Sequence, residues 1–240
     1  MGDLTKHIVF DADDTLWDEQ GLLQTFENAI EATLDREIGA KTEFSKDFIE
    51  LENRNIPHIG YGFPSYMFSF AEALSANATW YAQKDKVLDR ISQFMRDFNL
   101  KGPRIIAGVP EALRSIKEMG YDISVLTRGV EFEQRFKLQR SGLTELFSNV
   151  LVVDKKVKDT YITVSARLSV DIERLCMVGN SIRSDVNPAA EAGWRAVHVP
   201  APSAWAHDEG EVINSPRVHR VEKISELPSL ISAKEFWTKG

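Results

Sequence analysis

The chain has one cysteine, Cys176, so no internal disulfide can form, and no CxxC or Cys/His array is present to hold zinc. Set in an apolar run, Cys176 reads as a small core residue. No apolar stretch approaches the roughly 20 residues that cross a bilayer. The opening segment, Met1 to His7, is too polar for a signal peptide, and the cytoplasm is the expected location. An excess of positive charge is missing as well. Lys and Arg number 29 against 36 Asp and Glu, a formal charge of -7 that argues against nucleic acid or an anionic membrane as general partners. Acidity does not exclude an anionic substrate, because a metal ion and a few lysines reverse the potential locally. Such lysines cluster once, at Lys155, Lys156 and Lys158.

What is present suits a packed fold. At 240 residues and 43% hydrophobic, the chain is long enough for one large domain, or for a core carrying an inserted one. Five short runs are nearly continuous in hydrophobicity: His7 to Phe10, Tyr121 to Leu126, Asn149 to Val153, Leu175 to Val178 and Ala196 to Val199. Runs of this kind are strands covered on both faces. Segments of helical period lie between them: Pro110 to Met119, Glu131 to Ser141 closed by Gly142, Thr160 to Leu168, and Asp185 to Ala192 closed by Gly193. Strand and helix alternate from about residue 104 to 200, which predicts a parallel sheet with right-handed crossovers and helices on both faces, an α/β Rossmann-like core.

The first strand breaks that rhythm, since no second strand follows for about 90 residues. Leu16 to Ile38, Phe44 to Asn53, Ser65 to Leu74 and Ala82 to Phe98 read as helices, and Asn55 to Pro64, with Pro57, Gly60, Gly62 and Pro64, as a loop. An all-helical module over residues 17–100 is therefore expected inside a core formed by 1–16 and 101–240. Beyond Pro200 the pattern gives a loop, an edge strand at Val218 to Val221 and a last helix at Ile224 to Ile231.

Open parallel sheets place working residues at the carboxyl ends of their strands, and four such ends carry chemistry. Asp11 and Asp13 follow the first strand, spaced to flank one reacting centre as nucleophile and acid/base; an acidic turn or helix cap is the plainer alternative. Thr127 and Arg128 follow the second, offering a hydroxyl and backbone amides that suit a phosphoryl oxygen, or only an N-cap. Lys155, Lys156 and Lys158 follow the third, where a lysine neutralises phosphate or merely lies in solvent. Gly179, Asn180 and Asp185 follow the fourth. Gly179 allows a tight turn there, and Asp185 could serve a hard cation or open a helix.

These motifs, in this order, resemble those of the haloacid dehalogenase-like hydrolase superfamily. Phe10-Asp11-Ala12-Asp13-Asp14-Thr15-Leu16 is similar to its first motif, Ser124-Val125-Leu126-Thr127 to its second, a lysine ahead of a helix to its third, and Gly179 to Asp185 to its last. The helical insertion is similar to the family's C1-type cap. The resemblance implies a Mg²⁺-dependent phosphohydrolase acting on a small-molecule phosphomonoester. By it, Asp11 attacks phosphorus and becomes an aspartyl-phosphate, and Asp13 protonates the leaving oxygen and later activates water. Thr127 and Lys156 hold the phosphoryl oxygens, while Arg128, a departure from the family, is expected to reach the substrate with its charge. Asp11, the carbonyl of Asp13 and Asp185 hold Mg²⁺. Lys156 is chosen over Lys155 because Tyr161 then completes the Lys-x-x-x-x-Tyr spacing found in relatives.

Three residues depart from the pattern: Asp14 where Gly is commonest, Asn180 where many relatives have Asp, and Arg128 where Asn is frequent. Two other readings stay open. A 2-haloacid dehalogenase keeps the aspartate nucleophile but needs neither Asp13 nor a metal, and a non-catalytic regulatory or binding module keeps only the fold. Substrate choice is expected to fall to Asn55, His58, Tyr61 and Tyr66 in the insertion, though Tyr61, Phe63, Tyr66, Phe68 and Phe70 also read as helical core. His198 and His207, flanking Pro200 and Trp205, are candidates for the rim of the site, though His198 in Ala196-Val197-His198-Val199 also reads as plain alternation on a strand. Oligomeric state is not legible in the sequence.

Overall fold

The computed structural model describes residues 5–38, 41–76, 80–203 and 208–238. Trp205 and His207 lie outside them. Six strands form one parallel sheet in the order β3-β2-β1-β4-β5-β6. They are β1 (His7–Phe10), β2 (Asp122–Arg128), β3 (Asn149–Val153), β4 (Leu175–Gly179), β5 (Arg195–His198) and β6 (Val218–Arg220). Chain direction puts all the carboxyl ends on one edge, and the order reverses beside β1, the switch point where such sheets work. The helices are α1 (Gln20–Ile38), α2 (Phe44–Ile59), α3 (Phe63–Ala76), α4 (Trp80–Lys101), α5 (Val109–Glu118), α6 (Glu131–Ser141), α7 (Lys158–Leu168), α8 (Asn187–Glu191), α9 (Leu227–Ser232) and α10 (Lys234–Thr238).

Alternate strand residues serve opposite faces of the sheet. Ile8, Phe10, Ile123, Val125, Cys176 and Val178 pack with α5 and α9 through Leu113, Ile116, Leu227 and Ile231. Val9, Leu126, Leu175 and Met177 pack with α7 and α8 through Tyr161, Val164 and Ala189. With both faces covered there is no solvent side to demand polar residues. That is why the runs are continuous rather than alternating.

The chain divides into two compact units, Met1–Gln20 with Arg104–Gly240, and Gly21–Pro103. The second has its own aromatic core, in which Phe26 stacks on Phe70 and Phe94, and Phe48 meets Tyr66 and Phe70 edge-on. Tyr66 donates its hydroxyl to the buried Glu27 (2.9 Å), and burial pushes that carboxyl up to about 7. Asn55 bonds Ser69 and Glu72, while His58 and Phe68 are exposed.

Several boundaries differ from the sequence pattern. The first helix starts at Gln20 rather than Leu16, because Trp17 is drawn into bridges with Asp13 and Ile105 and residues 16 and 18 pair with 106 and 104. The segment Asn55 to Pro64 is mostly helical. Pro57 falls in the last turn of α2, where its missing N–H costs one bond, and the helix stops instead at Gly60, whose φ is 79°. The expected helix at Asp185 to Ala192 is a π-turn over Ile182–Val186 leading into α8. A further helix, α10, ends the described chain.

Asp14 takes a left-handed conformation, φ 60°, the region that favours glycine. Aspartate is tolerated because its Oδ1 accepts the amides of Glu19 (3.0 Å) and Gln20 (2.9 Å), capping the entrance to α1. Burial pushes its carboxyl up to about 8 against the pull of the Gln20 amide, with the charges of Asp13, Glu19 and Asp208 adding to the rise. Asn keeps both the cap and the backbone tolerance without the charge. Asp14→Asn is therefore expected to be at least as stable as wild type at pH 7, and Asp14→Ala about 1–3 kcal/mol less stable than Asp14→Asn. Equal urea midpoints for the two variants would contradict this account.

Candidate active site

The carboxyl ends of β1, β3 and β4 bring three groups together. Asp11 leaves β1 with its amide bonded to the Val178 carbonyl of β4 (2.9 Å), which fixes its place at the sheet edge. Lys156 follows β3 with its ammonium buried, donating to Asp11 Oδ1 and, at 2.7 Å, to Asp185 Oδ1. Lys155 and Lys158 are exposed. Asp185 is fully buried on the π-turn, and its Oδ2 accepts the Ser181 amide (3.0 Å). The Tyr161 hydroxyl donates to the Ser184 carbonyl (2.6 Å) and so holds that turn from below.

Gly179 serves a purpose other than the turn expected of it. Its φ is not in the left-handed region, but any Cβ there would overlap the Asp185 carboxylate. The close approach, not the backbone angle, requires glycine.

Thr127 and Arg128 end β2. The Thr127 side chain is buried, its hydroxyl 3.5 Å from the Arg128 carbonyl, and the Arg128 guanidinium donates to Ser184 Oγ (3.1 Å), next to Asp185. Asp13 turns elsewhere. Its Oδ1 accepts Trp17 Nε1 (2.6 Å) and Lys137 Nζ (2.7 Å), and its Oδ2 accepts Gln134 Nε2 (2.7 Å). His198 lies on β5 with Nε2 3.0 Å from the Asn180 carbonyl, a backbone contact rather than an open rim position.

The electrostatics divide into two clusters. Burial and the neighbouring Asp185 push Asp11 up to about 7 despite Lys156, and burial raises Asp185 as well. Burial alone would lower Lys156; the two carboxylates overcome this and raise it. One ammonium cannot neutralise two carboxylates held this close. In the other cluster burial pushes Asp13 up, but Lys137 and the bonds from Gln134 and Trp17 outweigh it, and its pKa ends below the ordinary value. Lys137 also meets Glu19 (3.2 Å) and Glu133 (3.3 Å). Burial pushes Glu19 up to about 7 although Lys137 pulls it down. Asp13, the nearer partner, therefore keeps the charge, and Glu19 is the group that takes up a proton near neutrality.

Lys137 and Gln134 carry no mark in the sequence pattern; only the burial of their helix shows its polar face turned inward. α6 buries Gln134, Lys137 and Leu138, at i, i+3 and i+4, while Phe132 is 79% exposed. Asp208 was also missed. It lies beyond β5, and its carboxylate accepts Asn180 Nδ2 (3.0 Å) at the same sheet edge.

Among the described residues no three His, Cys, Asp or Glu side chains converge to hold a metal ion. Mg²⁺ requires less: one or two carboxylates, completed by carbonyl, water and substrate oxygens. Asp11 and Asp185 fit that demand, being hard oxygen donors, crowded, buried and short of positive charge.

An aspartate at a strand end beside the switch point of a parallel sheet, bonded to a lysine that follows β3 and close to a second carboxylate that follows β4, is the arrangement found here. The chain belongs to the haloacid dehalogenase-like hydrolases, whose family model matches residues 5–193. It is similar to the glyceraldehyde 3-phosphate phosphatase of Methanopyrus kandleri, with 25% identity over 82% of this chain and 84% of that one. The protein of the same name from Pyrococcus abyssi is 26% identical over 81% of each chain. A haloacid dehalogenase-like family hydrolase from Xanthomonas campestris shares the fold with a TM-score of 0.76 and 28% identity, over 96% of this chain and 92% of that one.

Proposed function

We propose that the protein is a Mg²⁺-dependent phosphohydrolase that transfers the phosphoryl group of a small phosphomonoester to Asp11 and then to water. The observation that carries the reading is Lys156 bonded at once to Asp11 and Asp185, carboxylates from two different strand ends. A group poised there can neutralise a phosphoryl oxygen while Asp11 Oδ attacks phosphorus and the ester oxygen leaves. Thr127 and Arg128 would bind the other phosphoryl oxygens from the end of β2. Asp13 is ionised in the free site, so its acid role would need a proton taken from solvent when the substrate's phosphate charge arrives beside it and raises its pKa. It would give that proton to the leaving oxygen and then take one from the water that cleaves the aspartyl-phosphate, which regenerates the Asp11 carboxylate. Its place on Lys137, Gln134 and Trp17 favours the ionised, proton-accepting state, the one the second step needs.

Asp11, the Asp13 carbonyl and Asp185 would hold Mg²⁺, which when bound supplies positive charge against the phosphoryl oxygens. The helical residues 17–100 would act as a cap that chooses the leaving group. The relatives named for glyceraldehyde 3-phosphate make phosphorylated trioses the first substrates to try, with other sugar phosphates, phosphoglycolate-like acids and nucleotides beside them. Asp13 and Asp185 favour this chemistry over a dehalogenase, which needs neither. With MgCl₂ the purified protein is expected to release phosphate from at least one member of this panel, and complete chelation to stop it. Turnover that survives chelation, or halide release from 2-chloropropionate, would point to dehalogenase chemistry and end the proposal.

A further inference from the structure

Asn180 leaves one corner of the proposed metal site without a carboxylate, and the structure brings another to the same corner from far along the chain. The Thr15 hydroxyl oxygen accepts the Asn180 amide (3.1 Å), so its own proton points to Asn180 Oδ1 (3.1 Å). That fixes the side-chain amide, turning Nδ2 toward Asp208 Oδ2 (3.0 Å). Asp208 is held there by its surroundings. Its carbonyl accepts the Ile182 amide (2.8 Å), and Ser181 bonds its carboxylate. Two residues of the same loop are fastened by one side chain, with Asn187 donating to the Glu211 carbonyl (2.9 Å) and accepting the Ile213 amide (3.1 Å). Residues 208–213 are thus sewn onto the turn that carries Asp185 and the start of α8. Asp208 acts electrostatically on Asp185 and Asp11, and Arg128 and Lys156 act on it.

We propose that Asp208 supplies the carboxylate charge that Asn180 lacks, as a positioning residue acting through Asn180 and Ser181 on a Mg²⁺ held by Asp11 and Asp185. The inference rests on the Mg²⁺ reading above. It explains how Asn is compatible with a working cation site: the charge is moved one hydrogen bond outward and provided by a different loop. Partners in this outer position orient the ligands and set the metal's affinity, typically by about 10–100-fold.

The test is Mg²⁺ binding to the full-length protein by titration calorimetry, without substrate, beside metal-free thermal unfolding. Asp208→Asn keeps the shape and removes the charge, and is expected to weaken Mg²⁺ binding by about 10-fold or more with little change in metal-free unfolding. The swap Asn180→Asp with Asp208→Asn returns the charge to the turn and is expected to restore affinity to within about threefold of wild type. Affinity unchanged in Asp208→Asn while wild type binds would overturn this inference alone. Wild-type protein that binds no Mg²⁺ would remove the metal reading and this inference together. Should Asp208→Asn not fold, the swap decides: wild-type affinity supports the proposal, and lost affinity overturns it.

Discussion

Asp11→Asn is expected to lower phosphate release by at least roughly 10³-fold, the scale on which loss of a covalent nucleophile acts. An amide oxygen is a far weaker nucleophile than a carboxylate, whereas the side chain's shape is unchanged. Its Oδ1 can still accept from Lys156, so the sheet edge has no reason to rearrange. Stability is expected to move the other way. Burial and Asp185 raise the folded pKa of Asp11 from an ordinary 3.8 to about 7. The raised value means the folded state resists ionisation. That penalty is absent below the unfolded pKa, grows between roughly 4 and 7, and is complete above. Asn carries no such penalty. The variant's advantage in metal-free unfolding should therefore be larger at pH 8 than at pH 4. A purified Asp11→Asn protein with wild-type turnover would sink the assignment of the nucleophile, whatever its stability.

Lys137→Met should strongly destabilise the unit formed by residues 1–20 and 104–240. The Lys137 side chain is 3% exposed, and its ammonium answers three carboxylates, Asp13, Glu19 and Glu133. Methionine fills much of the volume but leaves those charges facing one another across a buried space. Removing one member of a buried ion pair typically costs about 3–5 kcal/mol, and that loss is expected in urea unfolding at pH 8. The deficit should shrink toward pH 5, because Glu19, already at about 7, takes a proton and relieves the repulsion. Turnover should also fall at least about tenfold, with KM little changed, because Asp13 loses a bond that aims it. Lys137→Arg keeps the charge and should recover part of both. A loss under about 1 kcal/mol at pH 8 would mean that the cluster is solvated and Lys137 is not its keystone.

The insertion poses a different problem. Residues suspected of choosing the substrate have structural duties within the helical unit: Tyr66 bonds Glu27, and Asn55 bonds Ser69 and Glu72. Substitution of either is expected to disturb helix packing before it reports on specificity. His58, being exposed, is the cleaner of these positions at which to look for a change in substrate choice, and Phe68, read as helical core, is exposed instead.

Strand β1 was legible residue for residue because it is buried throughout, and the edge strand β3, only partly buried, because its run of β-branched and apolar residues is short and bounded. The helical content of residues 20–101 was legible too, while its ends were not. Pro57 and Gly60 both read as breakers, and only their place relative to the last turn of α2 decided which one acted. Asp11, Lys156 and Asp185 stood out because each follows a strand, and parallel strands share one working edge. Asp208, Gln134 and Lys137 gave no such sign. Asp208 lies on a loop without periodicity, and the two α6 residues are ordinary polar side chains on a helix.

By itself, then, the order of apolar runs and strand-end polar residues determined the α/β core and named the groups gathered at its edge. That information is local: it depends on period, burial and position relative to a strand. Tertiary structure alone decided how the charges are shared. It gave Lys156 to both Asp11 and Asp185, turned Asp13 to Lys137, and laid Asp208 against Asn180. Those pairings join residues 28 to 145 positions apart, and Coulomb energies depend on separation in space and on burial, neither of which is written along the chain.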